Sequence, residues 1–416
     1  MSFDGVFTHA MVDELRASLL NGRISKIHQP YENEVVLVIR SQGKNHRLLL
    51  SAHPSYARIQ LTEIAYQNPD TPPNFVMMLR KHLEGAILED IKQMENDRVI
   101  HFTFTKRNEL GDLQGIQLIV ELMGRHSTIV LLNSETGKIL DAIKHVGHSQ
   151  NTYRSILPGS EYITPPKQEQ QNPFTATKES VFHILSTAEE LNGKFLQQQF
   201  QGLGRDTADE LAYRLNENPN EKMTVWQNFW QEIADKLQPT LGLKNDKEFF
   251  APLLFETFSE PVEYPTLSLL LDAFYGEKAE KDRVKQLGNE LIRRVENENK
   301  RNQTKLEKRQ KTLKDSENAE EFRRDGELLT TFMTQVPRGA ESVDLANYYD
   351  EDRMITIRLN PALTPNQNAQ KYFQRYQKLK NAVKLIYKQI DEAKEELAYL
   401  ESILAQLEIA GPMDIE

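Results

Sequence analysis

The stretch Glu121-Leu122-Met123-Gly124-Arg125-His126-Ser127 gathers a carboxylate, a guanidinium, an imidazole and a hydroxyl around one glycine, where an apolar run must end. Asp97-Arg98 makes a second polar pair, and Arg80-Lys81-His82 a third cluster. His126 and Ser127 are adjacent, so on a strand they point to opposite faces, a poor geometry for base and nucleophile. His145 and His148 are too few and too loosely placed for a metal site, and the chain has neither a Walker loop nor a G-x-G-x-x-G run. The sequence therefore points to no catalytic residue, no metal and no cofactor. Recognition is the sharper reading. Arginine offers a planar fork to phosphates and bases, and aspartate accepts from a base edge or a ribose hydroxyl. The plainer alternative makes Asp97-Arg98 an exposed turn pair of little energetic worth and Arg125 a structural turn arginine.

A second motif lies downstream, in Gln201-Gly202-Leu203-Gly204-Arg205-Asp206-Thr207-Ala208. A Gly-hydrophobic-Gly turn opening a helix is the core of a helix-hairpin-helix element, and its small residues let backbone N–H groups approach a phosphate. Gly202, Gly204 and Arg205 are the candidate phosphate contacts. The alternative is that the element only packs against its neighbours, with Phe195, Phe200, Leu211 and Leu215 as its core.

Three domains position these motifs. In the first, 1–166, a helical spacing from Val6 to Leu20 precedes strand-like runs at Arg23–His28, Glu34–Arg40, Arg47–Ala52 and Ala57–Leu61. Thr71-Pro72-Pro73 leads into a helix from Phe75 to Leu83. Four more strand candidates follow at Ile87–Ile91, Val99–Thr105, Ile116–Leu122 and Thr128–Leu132. The class is α+β, with a mostly antiparallel β-domain covered by helices. A Gln-rich linker then leads to a helical domain at 174–275, which carries the Gly-Leu-Gly turn.

The third domain, 276–410, is organised by periodicity. From Tyr372 through Tyr376, Leu379, Val383, Ile386, Ile390, Ala393, Leu397, Leu400, Leu404 and Leu407, apolar or small residues recur in alternating steps of four and three. That 3.5-residue period is a coiled-coil seam, on a helix roughly 54 Å long at ~1.5 Å per residue. A single helix cannot bury such a stripe alone. The thinner seam of Val284, Leu287, Leu291, Val295, Leu306 and Leu313 supplies the partner, diluted by Asn299, Asn302 and Gln303. The intervening chain is long enough to return, so an antiparallel hairpin with a small α+β tip at about 316–364 is expected. Arg293, Arg294, Lys300, Arg301, Lys308 and Arg309 crowd the first arm helix. They form either a solvated face or a basic surface that lies along nucleic-acid phosphates.

At 416 residues the chain is long enough for several domains. A formal net charge of −10 argues against nonspecific coating of nucleic acid, so any contact must come from local patches. Without cysteine there are no disulfides or thiolate sites, which suits a reducing cytosol. The N-terminus lacks a basic and an apolar signal region, and no stretch is long enough to span a bilayer, so no membrane insertion is expected.

Phe3-Asp4-Gly5, Pro73 through Leu83, Asp97-Arg98, Glu121 through Ser127 and Arg154 through Pro166 together resemble the N-terminal module of the NFACT family. The resemblance covers essentially the whole chain in domain order. It implies a cytoplasmic ribosome quality control factor that binds the obstructed large (50S) ribosomal subunit with its peptidyl-tRNA. Such a factor recruits tRNA to extend the stalled chain with a C-terminal tail, alanine in bacteria. Peptidyl transfer would be the ribosome's, so the chain is expected not to be an enzyme. By this resemblance Asp4, Asp97 and Arg98 match positions needed for tRNA engagement, and Glu121, Arg125 and His126 lie in the neighbouring signature. Some members of the family are described as fibronectin- or fibrinogen-binding, so a surface adhesin reaching the cell surface without a signal peptide is the alternative. Members usually continue into a further C-terminal module, and this chain, ending soon after Gly411-Pro412-Met413, reads as a fragment.

The same module resembles the N-terminal domain of formamidopyrimidine-type DNA glycosylases. Those enzymes use an N-terminal proline amine followed by a glutamate. Ser2 and Phe3 stand here instead, which removes the nucleophile.

Overall fold

The computed structural model describes residues 3–108, 110–316 and 318–409, apart from the side chains at 280–287, 315, 408 and 409. The chain divides into two compact units, Met1–Glu280 and Lys281–Glu416.

The first unit opens with α1 (Gly5–Leu19), whose N-cap is Asp4: the Asp4 carboxylate accepts from the Phe7 N–H at 2.8 Å. Val6, Phe7, Ala10, Met11, Leu15 and Leu19 form its buried face. Strands β1 (Arg23–Tyr31), β2 (Glu34–Ser41), β3 (Lys44–Ser51) and β4 (Arg58–Leu61) follow as an antiparallel meander. Helix α2 (Asn74–Leu83) then precedes a second meander of β5 (Ile87–Gln93), β6 (Val99–Arg107), β7 (Leu113–Glu121), β8 (Thr128–Asn133) and β9 (Ile139–Ala142). The nine strands form one sheet in the order β4-β3-β2-β1-β5-β6-β7-β8-β9. All eight expected strands are present. The four-residue β9 is an addition, too short to show an alternating pattern of its own.

Helices α3 (Lys178–Thr187), α4 (Gly193–Gln199), α5 (Arg205–Glu217) and α6 (Lys222–Asp235) come next, then a three-stranded sheet of β10 (Thr240–Lys244), β11 (Lys247–Ala251) and β12 (Ser259–Glu263). These elements share one apolar core with α1 and the large sheet. Phe7 of α1 meets Phe250 of β11 edge to face, ring centroids 4.9 Å apart.

Helix α7 (Leu267–Ser316) begins in the first unit and ends in the second. Its first turn is held by α1: Glu14 accepts from the Leu267 N–H at 2.7 Å and the Ser268 N–H at 3.0 Å. A carboxylate there satisfies orphan donors and faces the positive end of the helix dipole. Asp272, one turn on, accepts from Gln60, Thr62 and the Glu63 N–H at 2.7–2.9 Å.

In the second unit α8 (Ala319–Thr331), the hairpin of β13 (Ser342–Asn347) and β14 (Arg353–Arg358), and the start of α9 (Pro365–Ile409) enclose a small core of Leu328, Leu329, Leu345, Ile357 and Ala369. Along α9 every residue of the expected seam, from Tyr372 to Leu407, is buried or half-buried while most of the others are exposed. Arg309 of α7 donates to the Gln389 carbonyl at 2.9 Å, and Tyr376 lies against Glu320 at 3.4 Å. Glu320 belongs to α8, so α9 meets α8 near its start and α7 further along.

The α7 seam differs from the one expected. Leu291 is 39% exposed. The protected stripe is Gly288, Ile292, Val295, Asn299, Asn302, Leu306, Arg309, Leu313 and Ser316, again in steps of four and three. Helical spacing outranks residue type, and it puts two asparagines and an arginine inside the stripe. Val284 and Leu287 lie outside the described residues.

Candidate nucleic-acid interface

The polar motifs of the first unit meet at one end of the large sheet. Residues 94–98 form the turn from β5 to β6, and Val99 pairs with Glu121, the last residue of β7. The Leu122 N–H donates to the Arg98 carbonyl at 2.9 Å, which places Asp97-Arg98 beside the segment entering Gly124-Arg125-His126. Asp97 accepts from the Arg98 N–H at 2.7 Å, and both side chains are half-buried. Gly124 takes φ +58°, in the left-handed region, and opens a single 3-10 turn through His126. The turn is fixed from inside by Ser127, whose buried hydroxyl accepts from the Met123 N–H at 2.9 Å. Arg125 and His126 are exposed and touch each other, Nε to Nε2, at 3.0 Å. Asp97 and Arg98, half-buried, and Arg125 and His126, exposed, thus lie at one polar corner of the sheet.

Two of the expected contact residues are placed differently. Glu121 is fully buried. Its carboxylate pairs with both terminal nitrogens of Arg154 and accepts from the Tyr162 hydroxyl at 2.7 Å. Burial, followed by the Glu121 charge, pushes the Tyr162 phenol far above its ordinary range. Arg154 also donates to the Ile163 carbonyl at 2.9 Å, so the strap at 143–166 is fastened to the strand end that launches the 3-10 turn. Glu121 acts as an anchor beneath the corner.

Asp4 is also inside, 5% exposed. Besides capping α1, its Oδ2 accepts from the Gly204 N–H and the Thr207 hydroxyl, each at 2.7 Å. This settles the geometry of the Gly-Leu-Gly turn. The N–H group that would meet a phosphate already meets a carboxylate of the same chain. Gly202, at φ +77°, lies so close to Asn96 that a Cβ would come within 2.0 Å of the Asn96 carbonyl oxygen. Arg205 alone is open, its side chain 84% exposed and 3.9 Å from Asp209. The predicted phosphate site at Gly202 and Gly204 is an internal joint in this structure.

Of the basic arm residues, Arg293, Arg294, Lys300, Arg301 and Lys308 are exposed. Arg294 is 3.2 Å from Glu290, and Arg301 is 3.4 Å from Glu298. Arg309 is turned inward onto the Gln389 carbonyl, which removes it from the outer face.

Sequence reasoning missed Arg154, Tyr162 and Asn96. Arg154 lies 33 residues from Glu121, and no local spacing signals that pairing. His145, set aside as a metal ligand, lies 2.7 Å from the Asp141 carboxylate beside an open cavity of about 580 Å³ bordered by Tyr31 and Phe75. Among the described residues no three His, Asp or Glu side chains group as metal ligands, and no helix is long and apolar enough to cross a membrane.

Fold and corner together define an α+β head built on one large antiparallel sheet, followed by a two-helix hairpin with a small tip. That architecture has close relatives. The family of NFACT N-terminal and middle domains matches residues 4–416, and this chain belongs to it. It is 52% identical over 416 residues to the Rqc2 homolog RqcH of Streptococcus pneumoniae serotype 2, covering all of this chain and 73% of that protein. It is 31% identical over 133 residues, 32% of this chain and 12% of that protein, to the human ribosome quality control complex subunit NEMF. Among solved structures, the N-terminal part of the fibronectin/fibrinogen-binding protein from Streptococcus suis superimposes with a TM-score of 0.62 at 48% identity. That match covers 66% of this chain and 100% of the other.

Proposed function

We propose that this protein is a cytoplasmic ribosome quality control factor. It binds the obstructed large ribosomal subunit with its peptidyl-tRNA and holds tRNA so that the ribosome extends the stalled chain with a C-terminal tail of alanine. The observation that carries this reading is the polar corner of Asp97, Arg98, Arg125 and His126, the last two exposed, in a chain matched from residue 4 to 416 by the NFACT domains. Arginine forks and a half-buried aspartate suit backbone and base-edge contacts to RNA. The exposed Arg293, Lys300 and Lys308 suit ribosomal RNA phosphates. The Gly-Leu-Gly joint is read as a helix-hairpin-helix element used for packing, and the large sheet with its helices as a glycosylase-like module without a nucleophile. The chain works as an adaptor, with bond formation left to the ribosome.

The test is co-sedimentation with 50S particles carrying peptidyl-tRNA, together with tRNA binding by the chain and by Asp97→Ala/Arg98→Ala. Loss of tRNA affinity in a folded double mutant is expected. Unchanged affinity would remove the corner from the reading. A second reading, a matrix-binding adhesin, draws on the name of the solved Streptococcus suis relative. Tight fibronectin binding with no RNA affinity at any salt would favour it.

A further inference from the structure

We propose that Asn96, clasped by the turn between α4 and α5, is a positioning residue that sets the Asp97-Arg98 turn for RNA. The helical region then contributes to recognition by holding that turn in place, and not by gripping a phosphate. This proposal rests on the reading of Asp97-Arg98 as an RNA contact.

Asn96 is fully buried, although it sits in a turn between two strands and directly precedes Asp97. Its backbone N–H donates to the Gln201 side-chain oxygen at 3.3 Å, and its Nδ2 donates to the Gln201 carbonyl at 2.7 Å. The Gly5 N–H donates to the Gly202 carbonyl at 2.9 Å. The Asn96 carbonyl oxygen faces both glycines so closely that a Cβ on either would stand 2.0 Å away. Three backbones therefore meet closely, with glycine on two of them: the entry to α1, the β5–β6 turn, and the α4–α5 turn. Gln93 fastens the same place from below, its Nε2 donating at 2.9 Å to the carbonyls of Gly5 and Asp97. Asp4 closes the far side through Gly204 and Thr207.

Closing a hairpin does not require this. Two-residue turns connect antiparallel strands without outside help. Here the connection is longer, holds Glu95 at φ +53°, and sends its buried asparagine into contact with residues more than a hundred positions away. A non-glycine residue kept in the left-handed region is a cost that the surroundings must over-determine. What the clasp fixes is the conformation of the next two residues, Asp97 and Arg98.

The test uses the full chain and deacylated tRNA, with affinity measured across salt from about 50 to 200 mM. Asn96→Ala removes the Nδ2 bond to the Gln201 carbonyl, the shorter of the two hydrogen bonds in the clasp. Gln201→Ala removes one side-chain contact and leaves the packing in place. Arg98→Ala serves as the reference. In protein shown to be folded by circular dichroism, Asn96→Ala is expected to weaken binding about tenfold and to lower the salt slope by about one, as Arg98→Ala does. The double variant Asn96→Ala/Arg98→Ala should bind no more weakly than Arg98→Ala alone, and Gln201→Ala should shift affinity in the same direction by less. A purely structural role would reduce the active fraction without changing the slope, and would add to Arg98→Ala. Either result, or full affinity in Asn96→Ala while Arg98→Ala binds weakly, overturns the proposal. Unchanged binding by Arg98→Ala would instead overturn the recognition reading beneath it.

Discussion

Asp4 and Gly204, 200 residues apart in sequence, are joined by a 2.7 Å hydrogen bond from the glycine N–H to the aspartate Oδ2. One carboxylate thereby caps α1 with one oxygen and seats the start of α5 with the other. Asp4→Ala removes a helix cap, worth about 0.5–2 kcal/mol, and strands a buried N–H and hydroxyl at about 1–3 kcal/mol. A melting temperature lowered by several degrees is the expected result of differential scanning calorimetry. An unchanged one would show that the joint carries little of the fold.

The Glu121–Arg154 pair has a different weakness. Glu121→Ala leaves a guanidinium that is 8% exposed without its counter-charge, and the expected loss is about 3–5 kcal/mol in urea unfolding. Replacing both residues by apolar ones of similar volume should recover most of it, because the desolvation cost disappears with the charges. A double variant as unstable as the single one would contradict this account.

Acid should destabilise the first unit in part through His101. Burial lowers its pKa below the usual 6.5; the nearby Glu121 opposes that shift and Lys92 adds to it. The unfolded chain takes up the proton first as pH falls, so this contribution is fully present above about 6.5 and is lost below it. Melting temperatures at about pH 7.5 and 5.5 should differ less in His101→Gln than in the parent chain. An equal or larger difference in the variant would remove His101 from the explanation.

In the arm, Asn302 is 2% exposed, and its Nδ2 finds no hydrogen-bond partner among the described residues. Asn302→Leu should stabilise the α7–α9 pair by about 1–3 kcal/mol. Amide exchange along α9 would slow accordingly, while pairing register should become less strictly specified, since a buried asparagine in a seam enforces one alignment. Faster exchange would sink this prediction.

Arg309 and Lys308 are adjacent and should behave oppositely. Lys308→Ala should lower the salt slope of 50S binding by about one with no change in arm stability. Arg309→Ala removes the bond to the Gln389 carbonyl, and should loosen the arm while leaving the slope alone. The reverse pattern would mean that the outer face of α7 has been assigned wrongly.

The elements that repeat were legible in the sequence, and the joints between them were not. The α9 seam showed itself because eleven positions obey one period. Its partner was misread by one residue, Leu291 for Ile292, because leucine is a strong apolar marker and the asparagines that complete the true stripe are not. Asp97, Arg98, Arg125 and His126 were singled out from type and turn position, and the fold places them at one sheet end. Glu121 was also singled out, and Asp4 through the family resemblance alone, but exposure cannot be inferred from a carboxylate's type. Their partners Gly204, Thr207, Arg154 and Tyr162 are distant in sequence, and only the fold brings them near.

Hydrogen-bonded neighbours in the large sheet are consecutive in sequence everywhere except between β1 and β5, where Arg23 pairs with Ile87 and backbone hydrogen bonds link Asn21, Gly22 and Ile24 to Leu88, Ala86 and Gly85. Each half closes through local pairings, because short loops carry little entropic penalty, whereas joining β1 to β5 closes a longer stretch of chain. A chain emerging from its own ribosome would complete β1 to β4 before β5 exists. Maturation of the corner at Asp97-Arg98 then waits on the second meander and on the arrival, still later, of the α4–α5 turn.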